Sequence, residues 1–248
     1  MIGIDMNPEP VDKSNDTPKP DAKQRIRDAA VELFAHQSYA AVGTRDIAKK
    51  AGVNLAMINY YYGGKMGLLK ALIMEYTTLY YELLERGVDP SQPVERYVSI
   101  LIRNLVVFYR ENLMLALAVE RTAEVENEEL QGLRIKLAGA HKPMVDNYFN
   151  DLGLDPAHRP VMAVFRGFLT KMVLMHFQER FAWEEQLKRR PKLREIEERE
   201  FGKSDDRYDD AFYEQYAQVL ERFYLQGACA VAATLRKPDA APPPACGG

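Results

Sequence analysis

Ten side chains in a short stretch carry the chemistry that stands out in this sequence: Thr44, Arg45, Asn54, Leu55, Ala56, Met57, Asn59, Tyr60, Tyr61 and Lys65. They offer hydroxyl and amide donors, two cations and small apolar tips, a set suited to holding phosphates and touching the edges of bases. Two short helices are needed to present them. Ile47, Ala48 and Ala51 give the first its apolar face, with Thr44 read as its N-cap and Asp46 in the first turn, where the helix dipole favours negative charge. Gly52 stops that helix, because glycine takes positive φ without a Cβ clash. Asn54 then reads as the N-cap of a second helix carrying Leu55 to Tyr61. Val53 and Ile58 are its core contacts and its remaining side chains point away from the hinge. The pair reads as a helix-turn-helix whose outer surface suits a DNA groove.

The rest of the chain agrees with that reading in charge and in periodicity. Residues 21 to 72 hold eight basic side chains against four acidic ones, whereas the whole chain of 248 residues is at minus 3, which leaves minus 7 elsewhere. A basic module on an acidic body is the footprint of a protein that meets phosphates at one end only. Upstream, Ile26, Ala29, Ala30, Leu33 and Phe34 recur at helical spacing, and Tyr39 and Val42 would close a three-helix core. Downstream, Gly63-Gly64 breaks the chain and Lys65 opens a long helix to about Arg86. Further helical runs are expected at about 93–110, 112–126, 128–152, 157–182 and 208–236, and no segment alternates with period two for long enough to be a strand. Residues 1–20, with four prolines, read as a disordered arm, and 237–248 as a flexible tail. Residues 184–207 are charge-dense and broken by Pro191, so a short exposed helix or a mobile connection is expected there.

These residues resemble a known family. Lys23 through Leu69, with Phe34, Thr44, Ile47, Ala48, Ala51-Gly52-Val53 and Ile58-Asn59-Tyr60-Tyr61-Tyr62-Gly63-Gly64-Lys65, is similar to the DNA-binding head of the TetR/AcrR family of one-component transcriptional regulators. The resemblance implies an all-α fold of about nine helices: a three-helix head in 21–68, then a C-terminal domain in 69–236 that binds a small-molecule effector and pairs into a homodimer through its last two long helices. Three departures stand out. Tyr62 sits where the family usually has Phe, Met66-Gly67 replaces an acidic or polar pair, and the 184–207 segment is longer than the usual connection.

Within the head, Thr44, Tyr60, Tyr61 and Lys65 are assigned to phosphates, which fix register without reading sequence. Arg45 is assigned to guanine, Asn59 to adenine or a nearby phosphate, and Leu55, Ala56 and Met57 to thymine methyls and neighbouring base edges. The alternatives are that Tyr61 packs into the core and that Arg45 pairs with a carboxylate. Expected partners are double-stranded DNA, a second copy of the chain and a small-molecule effector of unknown identity, with no cofactor and no membrane. A cytoplasmic location follows from two cysteines and no long uninterrupted apolar run.

The body says less. The stripe Phe212, Tyr213, Tyr216, Ala217, Leu220, Phe223, Tyr224, Gly227, Ala228, Val231, Thr234, Leu235 is assigned to the dimer, together with the 157–182 helix. Candidate effector contacts are Phe108, Glu120, Arg121, His141, Met144, Tyr148, Phe168, Met172 and His176, a mix of large apolar and a few polar groups. Two other function classes were weighed. The four histidines show no His-Glu-x-x-His or Glu-x-x-His spacing, and no phosphate-binding glycine loop occurs, so neither an enzyme nor a metal site is expected. The other class is a helical protein-interaction module docking through 184–207.

Overall fold

Ten α-helices, and no strands, follow one another among the described residues: α1 (Ala22–His36), α2 (Thr44–Ala51), α3 (Leu55–Tyr62), α4 (Lys65–Glu85), α5 (Val94–Arg121), α6 (Glu128–Asp151), α7 (Arg159–Lys188), α8 (Pro191–Phe201), α9 (Ser204–Arg207) and α10 (Asp210–Leu235). The computed structural model describes residues 21–235 other than 88 and 90, with the side chains of Val94, Met144, Tyr148 and Arg166 also outside the description. The arm expected at 1–20 and the tail at 237–248 lie outside the described residues.

Two apolar cores organise these helices. The first joins Ile26, Ala30 and Phe34 of α1, Ile47 of α2, Ile58 of α3 and Leu68, Leu69, Leu72 and Ile73 of α4. Each large side chain removed from water there contributes about 1.5–3 kcal/mol. The second lies between the far end of α4, the first half of α5, and α7 and α10. Because Leu68, Leu69, Leu72 and Ile73 all belong to the first core, a head ending at residue 68 would cut through it.

Helix α5 serves both cores, and a local break lets it do so. Asn112 leaves helical geometry (φ −120, ψ 23) at the start of the second of the runs expected at 93–110 and 112–126, and its side-chain amide donates to the Phe108 carbonyl at 3.2 Å. Before the break, Val98, Ile102, Leu105 and Tyr109 pack into the body core. After it, Leu115, Leu117, Ala118 and Val119 pack under the head.

The charge-dense 184–207 segment is mostly ordered helix. α7 runs on to Lys188, and Pro191 opens α8, a position where its missing N–H costs nothing. Glu197 of α8 is buried against Arg207, Arg194 reaches Glu184 at 3.1 Å, and Arg180 approaches Asp205 at 3.8 Å. The dimer stripe expected on α10 divides in two. Tyr213, Ala217, Leu220, Tyr224 and Ala228 are buried within the chain's own bundle, because the small residues at the end of the stripe seat α10 on its neighbours. What faces outward is Phe223 of that stripe, 56% exposed, together with Val219, 66% exposed and outside it. Helix α7 is long and apolar enough to cross a membrane, but Val161, Phe165, Leu169, Val173 and Phe177 are buried in the body core, as a core helix requires.

Candidate functional site

The helix-turn-helix is built by backbone geometry at three points. Gly52 closes α2 in the left-handed region (φ 62), donating to the carbonyls of Ala48 and Lys49. Asn54 caps α3, its side chain accepting the Ala56 N–H at 2.9 Å. Gly67 meets α3 end-on: a Cβ there would collide with the carbonyl of Tyr62. The unusual Met66-Gly67 pair is thereby explained, since only a bare Cα lets the first turn of α4 press against the end of α3. One expectation changes. The residue in the N-cap position of α2 is Gly43, not Thr44, and the Asp46 carboxylate accepts the Gly43 N–H at 2.8 Å. Thr44 becomes the first helical residue because the reach-back from Asp46 already satisfies the N-terminus.

Side-chain braces then lock the three helices to each other and to α4. Arg27 of α1 forks onto both carboxylate oxygens of Glu75, Tyr62 donates its hydroxyl to the Lys23 carbonyl at 2.9 Å, and Arg25 donates to the Ala51 carbonyl at 3.1 Å. Burial and the carboxylate of Glu75 push the Tyr62 phenol up, so it stays a neutral donor. Lys65 donates to the Tyr39 carbonyl and lies 3.9 Å from the centre of the Tyr39 ring. It is a brace of the head as well as a charge beside it, and partial burial lowers its pKa.

On this frame the ten residues named from the sequence are exposed to different degrees. Arg45, Asn54, Leu55, Ala56, Asn59 and Tyr60 are exposed, Tyr60 by 80%. Tyr60 and Tyr61 meet edge to face at 4.9 Å. Met57 and Tyr61 are half-buried and pack against the head core, so each offers only part of its side chain to a partner. No ion pair involving Arg45 is recorded among the described residues, whereas Lys50 pairs with Glu32 at 2.6 Å.

Comparison with known proteins agrees with the geometry. The family model described as "Bacterial regulatory proteins, tetR family" matches residues 26–72, which is the three-helix head and the start of α4. The uncharacterized HTH-type transcriptional regulator YvkB of Bacillus subtilis is 36% identical over 158 residues, a match covering 58% of this chain and 79% of that one. The chain belongs to the TetR family of bacterial regulatory proteins. It is also 29% identical to the probable HTH-type transcriptional regulator YttP of Bacillus subtilis over 111 residues, 44% of this chain and 54% of that one, so it spans about half the length of that relative. In three dimensions this TetR-family chain is similar to the fatty acid degradation regulator FadR of Bacillus halodurans (TM-score 0.59, 19% identity, 85% of this chain and 98% of that one). It is also similar to FadR of Bacillus subtilis, solved in complex with stearoyl-CoA (TM-score 0.56, 17% identity, 82% and 98%).

Cavities open in the body, among them one of about 190 Å³ lined by His176, Trp183 and Arg207 and two larger ones. The first, of about 330 Å³, lies between α4, α5, α6 and α7 and is walled by Ile73, Tyr76, Tyr80, Tyr81, Val119 and Leu137, with Arg134, Thr170 and Lys171 among its polar groups. Tyr80 hydrogen-bonds Thr170 at 2.6 Å, Tyr76 lies 3.3 Å from the Tyr109 hydroxyl, and burial pushes the Tyr76 phenol up to about 12. The second cavity, of about 560 Å³, lies among α5, α7, α9 and α10. It already holds the chain's own cations, with Arg110 4.6 Å from the Tyr213 ring and Arg180 4.6 Å from the Tyr208 ring.

None of the seven effector candidates whose side chains are described lines the 330 Å³ cavity; several stand directly behind its walls. Phe108 packs edge-on against Tyr76 and Tyr80, Glu120 pairs with Lys171 at 2.6 Å, and His141 stacks on Tyr81. Arg121 is exposed, Phe168 stacks on Phe223 on the outer face, and Met172 is half-buried against the body core. His176 sits among Phe177, Tyr208, Phe212, Tyr213 and Tyr216, with burial the main cause of its lowered pKa. Met144 and Tyr148 have side chains outside the described residues. By spacing, Tyr76 and Tyr80 fall on the apolar side of α4 with its leucines. A signal was present: phenol groups crowded on one helix face need either partners or a polar space. Among the described residues no group of three His, Cys, Asp or Glu could hold a metal ion.

Proposed function

We propose that this chain is a DNA-binding transcriptional repressor that acts as a homodimer on a near-palindromic operator and is released by a small molecule bound in the α4/α6/α7 cavity. The observation that carries this reading is a shared wall. Ile73 and Tyr76 line the cavity, Ile73 is buried in the head core, and Tyr76 packs against both cores. A ligand that moves α4 by a fraction of an ångström moves the floor on which α1 to α3 are seated, because close-packed side chains transmit displacement.

Dimerisation uses the outward line of α7 and α10, where Val164, Met175, Val219 and Phe223 are exposed beside the Phe168–Phe223 ring stack. Two heads related by a two-fold axis then read two half-sites about a helical turn or more apart. Binding of a small molecule is supported by one similar structure, that of FadR of Bacillus subtilis in complex with stearoyl-CoA.

The ligand releases DNA only as far as it prefers the conformation that DNA does not, so the coupling is reciprocal. Selection of bound sequences from random and genomic DNA, followed by titration calorimetry, tests both halves. The expected result is an enriched inverted repeat, with operator DNA and effector weakening each other by the same factor. Absence of any enriched sequence would overturn the reading.

A further inference from the structure

We infer that the α4/α6/α7 cavity takes a small aromatic carboxylate, its flat apolar body between the tyrosines of α4 and Leu137 and its carboxylate at Arg134 and Lys171. The inference rests on the reading of this cavity as the effector site and adds the class of effector. Size sets the first limit. At a liquid-like ~30 Å³ per small group, 330 Å³ admits about eleven such groups, enough for two fused rings and one carboxylate. The second limit is shape and polarity. Tyr76, Tyr80 and Tyr81 form one wall, and the hydroxyls of Tyr76 and Tyr80 are turned to internal partners, Tyr109 and Thr170. The rings are left to contact the guest, and aromatic walls favour a flat apolar body.

Charge sets the third limit. Arg134 is half-buried and donates to the carbonyls of Ala123 and Thr122, which close the end of α5, at 2.9 and 3.0 Å. It forms no ion pair with a carboxylate among the described residues. Glu120, the acidic side chain that acts on it, is engaged by Lys171 at 2.6 Å. Two cations and one carboxylate therefore stand at this end of the cavity and leave one positive charge uncompensated. A carboxylate completes the set, a neutral molecule leaves it as it is, and a cation opposes it.

The full-length protein is titrated calorimetrically with 2-naphthoate, 2-naphthylmethanol and 2-naphthylmethylammonium, which share one apolar body and differ in charge. Naphthoate is expected to bind at least tenfold more tightly than the alcohol, and the ammonium more weakly than either. Arg134→Gln, which keeps donors for the α5 carbonyls, should bring naphthoate down to the level of the alcohol and leave the alcohol unchanged. Lys171→Gln, at an exposed position, is the parallel variant should the first unfold. In Gly167→Leu the new side chain starts where a Cβ meets nothing within 4 Å, on the cavity lining, and binding of all three should be lost with the melting temperature retained. Equal affinity for naphthoate and alcohol, or naphthoate binding that survives both Arg134→Gln and Lys171→Gln, overturns the inference. Selected DNA is titrated in parallel without ligand. Naphthoate binding without DNA binding keeps the site and removes the regulator reading, whereas DNA binding without naphthoate binding removes the site alone.

Discussion

The head and the body solve the same packing problem with opposite tolerance for empty space. In the head, Arg27, Tyr62, Arg25 and Lys65 each tie one helix to another element, and Ile26, Phe34, Ile47 and Ile58 are fully buried beneath them. In the body, α6 is only loosely embraced. Ile135 is 72% exposed, and a cavity of about 330 Å³ separates α6 from α4 and α7. A rigid reader needs its side chains held still, while the effector site proposed for the body needs room for a guest and a wall that can move. The two meet in α4, which carries the floor of the head at one end and the wall of the cavity at the other.

The sharpest way to break this comparison is to truncate one large apolar side chain in each region. Phe34→Ala should cost about 3–5 kcal/mol, because Phe34 is wholly buried in a core with little freedom to collapse. Leu137→Ala, on the half-buried wall of the cavity, should cost less than about 1.5 kcal/mol, and equal losses in chemical denaturation would show that the two regions are packed alike. Gly67→Ala probes the joint itself. Its methyl must push α4 off the end of α3, so about 1–3 kcal/mol should be lost together with affinity for selected DNA. Unchanged DNA affinity would mean that the angle between α3 and α4 does not matter to the reader.

Lys65 separates bracing from phosphate contact. Lys65→Ala should lower the melting temperature by removing the link to Tyr39. If the ammonium also meets DNA, it should weaken all sequences alike and flatten the salt dependence of binding by about one unit of slope. A lower melting temperature with an unchanged slope would leave the brace as its whole role.

The smallest effect is expected in the body and depends on pH. Burial among aromatic rings, with Arg180 adding to it, holds His176 below the usual imidazole value. The unfolded chain therefore takes up a proton near pH 6.5 that the folded chain refuses, so this contribution is fully present above about pH 6.5 and is lost as pH falls. His176→Phe should flatten the wild-type loss of melting temperature between about pH 6.5 and 5, and parallel curves would remove His176 as its source.

Legibility in the sequence followed the range of the interactions. The hinge at Gly52, the cap at Asn54 and the apolar faces of α1 to α3 depend on neighbours a few residues away, so spacing and residue type revealed them. The break in α5 was legible to within one residue: the gap between the expected runs falls at Glu111, and Asn112, placed at the start of the second run, is the residue that leaves helical geometry. Thr44 was misplaced by one position because a reach-back from Asp46 competes with a hydroxyl cap, and sequence alone does not rank the two. The α10 stripe was assigned to a dimer when half of it serves the chain's own core, since an apolar face shows that it needs a partner without showing which one.

By itself the sequence determined an all-helical chain with a basic helix-turn-helix head of the TetR family, because helix periodicity, caps and charge are local properties. Only the tertiary structure decided that Gly67 must be bare and that Lys65 braces Tyr39. It alone placed the tyrosines of α4 around the 330 Å³ cavity. Those facts arise where segments distant in the chain come within a few ångströms of each other, and packing density rather than local preference then selects which side chain fits.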